Sequence, residues 1–221
     1  VLYGDVPLVR ENTLNTLVTA LGSGGLALLT AELSDPTGYG RIVRDERDKV
    51  IAIVEERDAS EVERAILEIN TGFMAGPAEQ FSAWLSEVDN VNRQGEYYLT
   101  DVVGCAARSG VTVSSVSCAD PAEINGINSR GELAQAERLF QLRQANSLMS
   151  AGLTLYDPAR FDLRGQLSFA NDCEIDVNVV LEGTVTLGSN VRVGPNCQII
   201  DSEIGDGVEV RASSVIEGAK I

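Results

Sequence analysis

Ile175-Asp176-Val177-Asn178-Val179-Val180-Leu181-Glu182-Gly183-Thr184-Val185-Thr186-Leu187-Gly188-Ser189-Asn190-Val191-Arg192-Val193-Gly194-Pro195-Asn196-Cys197-Gln198-Ile199 repeats with a period of six. Ile175, Leu181, Leu187, Val193 and Ile199 form one apolar column, and Val179, Val185, Val191 and Cys197 form a second. Such a repeat predicts a parallel β-helix: each hexad makes one flat side, three make a coil, and the apolar columns fill the axis. Gly183, Gly188 and Gly194 supply small turn residues. Between Ile199 and Ile204 the step shortens to five, after which Ile204, Val210 and Ile216 resume the six. The slip is either a tightened corner or an error of frame. At about 18 residues per coil, the run to Ile221 amounts to about two and a half coils. With no capping element after it, the solenoid is expected to stop in mid-architecture.

Toward the N-terminus the pattern changes twice. Ser129-Arg130-Gly131-Glu132 has the form of a capping box, and Leu133, Ala136, Phe140 and Leu148 recur at near-helical spacing. One long helix over 128–150 is predicted, linking an α/β region at 1–127 to the β-helix domain at 151–221. In the α/β region, Val1-Leu2-Tyr3 reads as a strand end running into Gly4-Asp5, so the chain is also expected to open in mid-architecture. A helix follows over 11–21 with Leu14, Leu17, Val18 and Leu21 inward. Gly22-Ser23-Gly24-Gly25 reads as a loop, 26–33 as a strand, and Asp35-Pro36-Thr37-Gly38 as its breaker. Residues 41–43 and 50–54 read as strands about a polar turn at 45–49, 59–67 as a turn or two of helix, and 68–75 as a strand. An amphipathic helix over 77–88, with Phe81, Trp84 and Leu85 inward, and a late strand at 111–116 complete the region.

Composition narrows the chemistry. The 221 residues hold 17 Lys and Arg against 33 Asp and Glu, a net charge of −16, and no histidine. A Ser-His-Asp triad, a Cys-His pair and any histidine metal site are therefore excluded within this chain. So acidic a surface argues against nucleic acid or an anionic membrane as partner. No apolar run reaches the roughly 18 residues of a membrane helix. Cys105, Cys118, Cys173 and Cys197 show no CxxC spacing and read as small buried hydrophobes in a reducing, cytoplasmic setting.

Several motifs stand in a telling order: Leu2-Tyr3-Gly4-Asp5-Val6-Pro7-Leu8, Asp35-Pro36-Thr37-Gly38-Tyr39-Gly40-Arg41-Ile42, Asn70-Thr71-Gly72, and Gln94-Gly95-Glu96-Tyr97-Tyr98-Leu99-Thr100-Asp101. Asp157-Pro158-Ala159-Arg160-Phe161-Asp162-Leu163-Arg164-Gly165 then precedes the hexads. With the β-helix, this set resembles the bacterial bifunctional N-acetylglucosamine-1-phosphate uridyltransferase/glucosamine-1-phosphate acetyltransferase family, over essentially the whole chain. The resemblance implies the second half of a Rossmann-like nucleotidyltransferase domain, a linker helix and the first coils of a left-handed β-helix. It also implies that the family's glycine-rich triphosphate loop and its acetyltransferase histidine are not in this stretch, so the 221 residues alone are expected to be inactive.

The implied reaction is uridylyl transfer from UTP to N-acetylglucosamine 1-phosphate, giving UDP-N-acetylglucosamine and pyrophosphate. A second, acetyl-CoA-dependent acetylation belongs to the family's missing C-terminal site. Asp5 lies where ligands sit in doubly wound sheets, beyond the carboxyl end of a strand, and its carboxylate suits a hard divalent cation. The family match makes Asp5 and Asn128 the Mg2+ ligands; on sequence alone both read as capping residues. The resemblance lays Tyr3 and Gly4 along the nucleotide-sugar, and has Gly40 offer backbone groups to the sugar. Glu55 accepts from sugar hydroxyls, with Glu56 as competitor should the turn at 45–49 be one residue longer here. Asn70 suits a hydroxyl or the acetamido group. Residues 95–101 read as a structural wall near the acetamido pocket. No protein nucleophile is required. Two other readings stand beside this one: a related glucose-1-phosphate nucleotidyltransferase with a β-helix tail, and a non-catalytic module whose β-helix assembles as a homotrimer.

Overall fold

The computed structural model describes residues 1–22 and 24–221, so Ser23 of the expected 22–25 loop lies outside the described residues. The chain forms two compact units, Val1–Asn128 and Ser129–Ile221. The first contains α1 (Glu11–Ala20), β1 (Leu26–Glu32), β2 (Arg41–Arg44), β3 (Val50–Val54), α2 (Glu61–Arg64), β4 (Glu68–Ala75), α3 (Ala78–Glu87), α4 (Asp101–Arg108) and β5 (Val113–Ser117). Its sheet has the order β3-β2-β4-β1-β5. β1 runs parallel to β5 and antiparallel to β4, and β2 runs antiparallel to both β3 and β4. β1 is buried at six of its seven positions, which is why it reads as a continuous apolar run. Its alternate side chains feed two cores. Leu26 and Leu28 pack with Ile53, Trp84, Val102 and Val103, while Ala27, Leu29 and Ala31 pack with Leu17, Phe73 and Ile124.

Several expectations need correcting. Val1-Leu2-Tyr3 is no strand; Val1 exchanges a single pair of backbone hydrogen bonds with Met74. Only Leu17 of α1 is buried, and Val18 is exposed; in α3 Trp84 is buried and Leu85 is exposed. α4 was not anticipated, because Gly104 at its centre lowers helix propensity. It nonetheless buries Val102, Val103, Cys105 and Ala106.

The second unit opens with α5 (Arg130–Ser150), whose first turn is capped by Ser129 Oγ accepting from Glu132 N at 3.2 Å. The expected apolar stripe faces inward only in part: Leu148 packs against the solenoid core, Leu133 and Phe140 are exposed, and Gln141 and Ala145 are buried. The reason lies in the strand beneath. Gln141 Oε1 accepts from Leu163 N at 2.8 Å while its Nε2 donates to Leu163 O at 3.1 Å. The side-chain amide thus pairs with the first coil as a neighbouring strand would, and α5 covers the edge that an open solenoid leaves unpaired.

The solenoid is built from β6 (Thr154–Leu155), β7 (Phe161–Phe169), β8 (Glu174–Ile175), β9 (Val179–Leu187), β10 (Arg192–Val193), β11 (Gln198–Ile200), β12 (Glu203–Ile204), β13 (Glu209–Val210) and β14 (Val215–Glu217). Every pairing among them is parallel. One face stacks β6, β8, β10 and β13; β7 and β9 each bend round a corner, so their first halves align with β11 and β14 and their second halves with β12. All nine residues of the two apolar columns are buried. Four rungs on the first face make about four turns, not two and a half. The earliest coil escapes the hexad pattern because Asp157-Pro158-Ala159-Arg160 and Arg164-Gly165-Gln166 interrupt it.

The five-residue step is a tightened corner, and the frame stands. Ile199 stacks on Leu181, 18 residues before it, but Ile204 stacks on Leu187, 17 before it. The residue lost falls at Asp201, which sits at φ 43° and accepts from Thr184 N at 2.9 Å. Ser202 then fills an inward position, its hydroxyl donating to Ile200 O at 2.6 Å and accepting from Ala219 N at 3.0 Å. The other corners repeat a left-handed residue, at Asp172, Asn190 and Gly207 and again at Asn178, Asn196 and Ser213. Asp, Asn and Gly bear that conformation best.

Leu181→Ala should lower stability by about 2–5 kcal/mol through the cavity it leaves. Val215→Ala, at an exposed position, should stay within about 0.5 kcal/mol. Thermal and urea denaturation of the two variants checks this; equal losses would contradict the inward assignment of the column.

Candidate functional site

β2 stands between β3 and β4, with Arg41 opposite Val54 on one side and Ile69 on the other. One residue further along, past the ends of β2 and β3, the same antiparallel register aligns Gly40 with Glu55 and with Asn70. Asn70 N donates to Gly40 O at 2.8 Å. A Cβ on Gly40 would lie 3.4 Å from both Glu55 carboxylate oxygens, so that carboxylate rests against the Gly40 backbone. Three of the residues singled out in the sequence thus form one row at the mouth of the sheet.

The choice between Glu55 and Glu56 turns on the hairpin. Val43 pairs with Ala52 but Arg44 pairs with Val50, so Ile51 is an extra residue absorbed as a bulge. With Ile51 taken up there, it is Glu55 whose carboxylate lies against Gly40. Alternation sends Glu56 to the opposite face, where Oε2 lies 2.5 Å from Arg41 Nη2 and Oε1 lies 3.8 Å from Arg64 Nε.

Tyr3 lies beside this row. Its ring occupies the space that a Cβ on Gly72 would fill, and Gly72 sits at φ 85°, where only glycine is unstrained. Gly72 N donates to Asn70 Oδ1 at 3.1 Å, and the Tyr3 ring tilts against Phe73 at 6.4 Å. Burial first, then the nearby charges of Glu55 and Asp5, raise the phenol pKa. Gly4 has open space where a side chain would be. Asp5 O accepts from Ile127 N at 2.8 Å, which joins the two loops. A Cβ on Gly126 would lie 3.7 Å from Asp5 Oδ2 and 3.8 Å from Asn128 Nδ2, so these two side chains flank one point.

A further contributor comes from the segment 95–101, read from the sequence as a structural wall without a partner named for it. Thr100 Oγ1 donates to Glu55 Oε1 at 2.8 Å, and Thr100 is buried. It stands at the N-cap of α4 yet makes no side-chain cap bond. No local signal could have found it, because its partner is 45 residues away.

The convergent groups are carboxylates, carboxamides, a phenol and peptide groups, with no Lys or Arg in the set. Among the described residues no group of three or more His, Cys, Asp or Glu side chains gathers as a metal centre. Asp5 and Asn128 still fit Mg2+, which takes one or two protein ligands and completes its shell with water and substrate phosphate. Among the described residues no helix is long and apolar enough to cross a membrane.

No protein-family model matches the chain. Curated relatives match it throughout. The "Bifunctional protein GlmU" of Alkalilimnicola ehrlichii is 52% identical over 219 residues, 99% of this chain and 47% of the relative. That of Methylococcus capsulatus is 52% identical over 222 residues, 100% of this chain and 48% of the relative. That of Stutzerimonas stutzeri is 53% identical over 219 residues, again 99% and 48%. A solved structure titled as a putative glucose-1-phosphate thymidylyltransferase from Bacillus anthracis aligns with a TM-score of 0.40 and 19% identity, covering 58% of this chain and 48% of that one. From end to end the chain is similar to these bifunctional GlmU proteins, and it spans about half the length of the curated relatives it matches.

Proposed function

We propose that the first unit supplies the sugar and metal wall of a uridyltransferase site, acting on UTP and N-acetylglucosamine 1-phosphate and releasing UDP-N-acetylglucosamine and pyrophosphate. The observation that carries this reading is the row Glu55, Gly40 and Asn70, with Tyr3 alongside. A carboxylate, a peptide group and a carboxamide on one edge offer the acceptors and donors that sugar hydroxyl and acetamido groups require. Glu55 accepts from ring hydroxyls. Asn70 Oδ1 is engaged by Gly72, which leaves the carboxamide NH2 to donate to the acetamido carbonyl.

In the reaction, a phosphate oxygen of the sugar phosphate attacks the α-phosphorus of UTP in line, and pyrophosphate departs. No side chain forms a covalent bond. The residues act by orientation and by excluding alternative poses. Tyr3 and Gly4 form the floor along the nucleotide-sugar, Gly4 admitting close approach because no side chain intervenes. Asp5 and Asn128 would hold Mg2+, which supplies neutralisation of the phosphate charges when bound. The relatives' second activity, acetyl-CoA-dependent acetylation of glucosamine 1-phosphate, takes no residue from this chain in our reading. Homotrimer formation through the faces of the parallel β-helix is part of the same proposal.

Pyrophosphate release by the whole protein carrying this chain tests the reading. Asp5→Asn should reduce turnover about 10²-fold or more and raise the Mg2+ requirement. Glu55→Gln should raise KM for the sugar phosphate about tenfold, a change of about 1.4 kcal/mol, while leaving KM for UTP alone. Turnover with glucose 1-phosphate equal to that with the N-acetylated sugar would refute the substrate assignment. Removing the Glu55 charge should also bring the Tyr3 phenol pKa down toward its ordinary value, readable as an ultraviolet difference titration against Tyr3→Phe.

A further inference from the structure

We propose that Arg41 and Glu56 form a positioning clip for the sugar-binding row, and that this clip sets discrimination at the sugar; the inference rests on the uridyltransferase reading above. Gly40 and Glu55 lie just beyond the strands that carry them, since β2 begins at Arg41 and β3 ends at Val54. Strand hydrogen bonds therefore do not fix their separation. Glu55 is already leaving the sheet, because its carbonyl accepts from Asp58 N and Ala59 N, both at 3.0 Å, in a turn. Something else must hold the two chains together at that point.

The Arg41 side chain does so. It is 2% exposed. Its Nη1 donates to Tyr39 O, and its Nη2 donates to Glu56 Oε2 at 2.5 Å. Counted on from Arg41 opposite Val54, Tyr39 and Glu56 follow Gly40 and Glu55 on the two chains. One planar guanidinium thus bridges the pair just outside the row, while the Arg41 backbone pairs with Val54 just inside it. Gly40 and Glu55 are held between these two rungs. Arginine suits the task because its fork can reach two acceptors at fixed spacing, which an ammonium does not.

Such a brace is costly. Among the described residues Arg41 Nε is buried without a partner, and a buried ion pair often gives less stability than apolar side chains of similar volume. Core packing alone is therefore better served by other residues. The second face of the adjacent glutamates has a job of its own: Glu55 turns to the row, and Glu56 anchors the clip.

The test uses the whole protein carrying this chain, with Arg41→Met/Glu56→Met as the main variant. Removing both leaves no buried charge unpaired, since Arg64, the other partner of Glu56, is exposed and keeps its contact with Glu56 O, and only Tyr39 O loses a donor; the double variant should therefore fold with a melting temperature close to that of the parent. Its KM for N-acetylglucosamine 1-phosphate should rise about tenfold, and its preference over glucose 1-phosphate should fall by a similar factor, with KM for UTP unchanged. Glu56→Gln, which keeps the shape and one acceptor, should show the same pattern at about threefold. A purely structural pair would alter melting temperature without this split between the two substrates. A folded double variant with parental KM for both substrates would overturn the inference and leave the uridyltransferase reading intact. A parent that shows no uridylyl transfer defeats the reading and the inference together.

Discussion

Antiparallel register between β2 and its two neighbours governs the candidate site. Side chains alternate across a strand, so a slip of one residue would turn Glu55 away and bring Glu56 into the row. The hairpin 45–49 is the place where such a slip would arise, and the bulge at Ile51 prevents it by absorbing one residue before the register reaches Val54. On the other flank, the bond from Asn70 N to Gly40 O fixes β4 against the same edge. Backbone pairing sets the register of the row and ties Gly40 to Asn70, and beyond the last β2–β3 rung the Arg41 side chain bridges the two chains.

The second unit faces a related constraint with a different solution. A parallel solenoid always presents an unpaired edge at its first coil. Here a helix cannot offer a ladder of backbone groups, since its own are used internally, but a carboxamide carries one donor and one acceptor in the arrangement of a peptide. Gln141 uses both on Leu163, and Gln144 Nε2 adds a second donor to Leu163 O at 3.1 Å. The cost of burying a glutamine is offset because the strand groups would otherwise be buried unpaired.

This is also where sequence patterning misleads. Apolar periodicity presumes that the buried face of a helix is the apolar one, and in α5 the underlying surface is polar backbone. Leu133 and Phe140 therefore match the pattern and stay exposed, while Gln141 breaks it and is buried. The hexad columns had no such trap: only side chains meet along the axis of the prism, so all nine were legible from apolarity alone. Ser202 is the informative exception, a polar residue admitted to an inward place because a shortened corner brings Ile200 O and Ala219 N within reach. In the first unit the sequence singled out Asp5, Gly40 and Asn70 within ordered motifs and Glu55 as the residue after the strand 50–54, and the structure brings Gly40, Glu55 and Asn70 into one row. Thr100 and Arg41 act through partners set by long-range register, which no local window contains.

Electrostatics tie the site to the composition. A net charge of −16 makes phosphate binding unfavourable over most of this surface, and the row itself adds Glu55 and Asp5 in the field of Tyr3. The one arginine buried beside the row is committed, through Tyr39 O and Glu56, to holding backbone and carboxylate. It is not available to a phosphate. Under the proposed function, a wall of this kind would discriminate among neutral sugar substituents and leave phosphate charge to a cation on Asp5 and Asn128 and to groups outside the row. That division would reconcile an acidic, histidine-free stretch with a reaction between two polyanions: recognition of hydroxyl and acetamido groups needs acceptors and donors in register, and it gains from having no competing positive charge to pull the phosphate into the sugar's place.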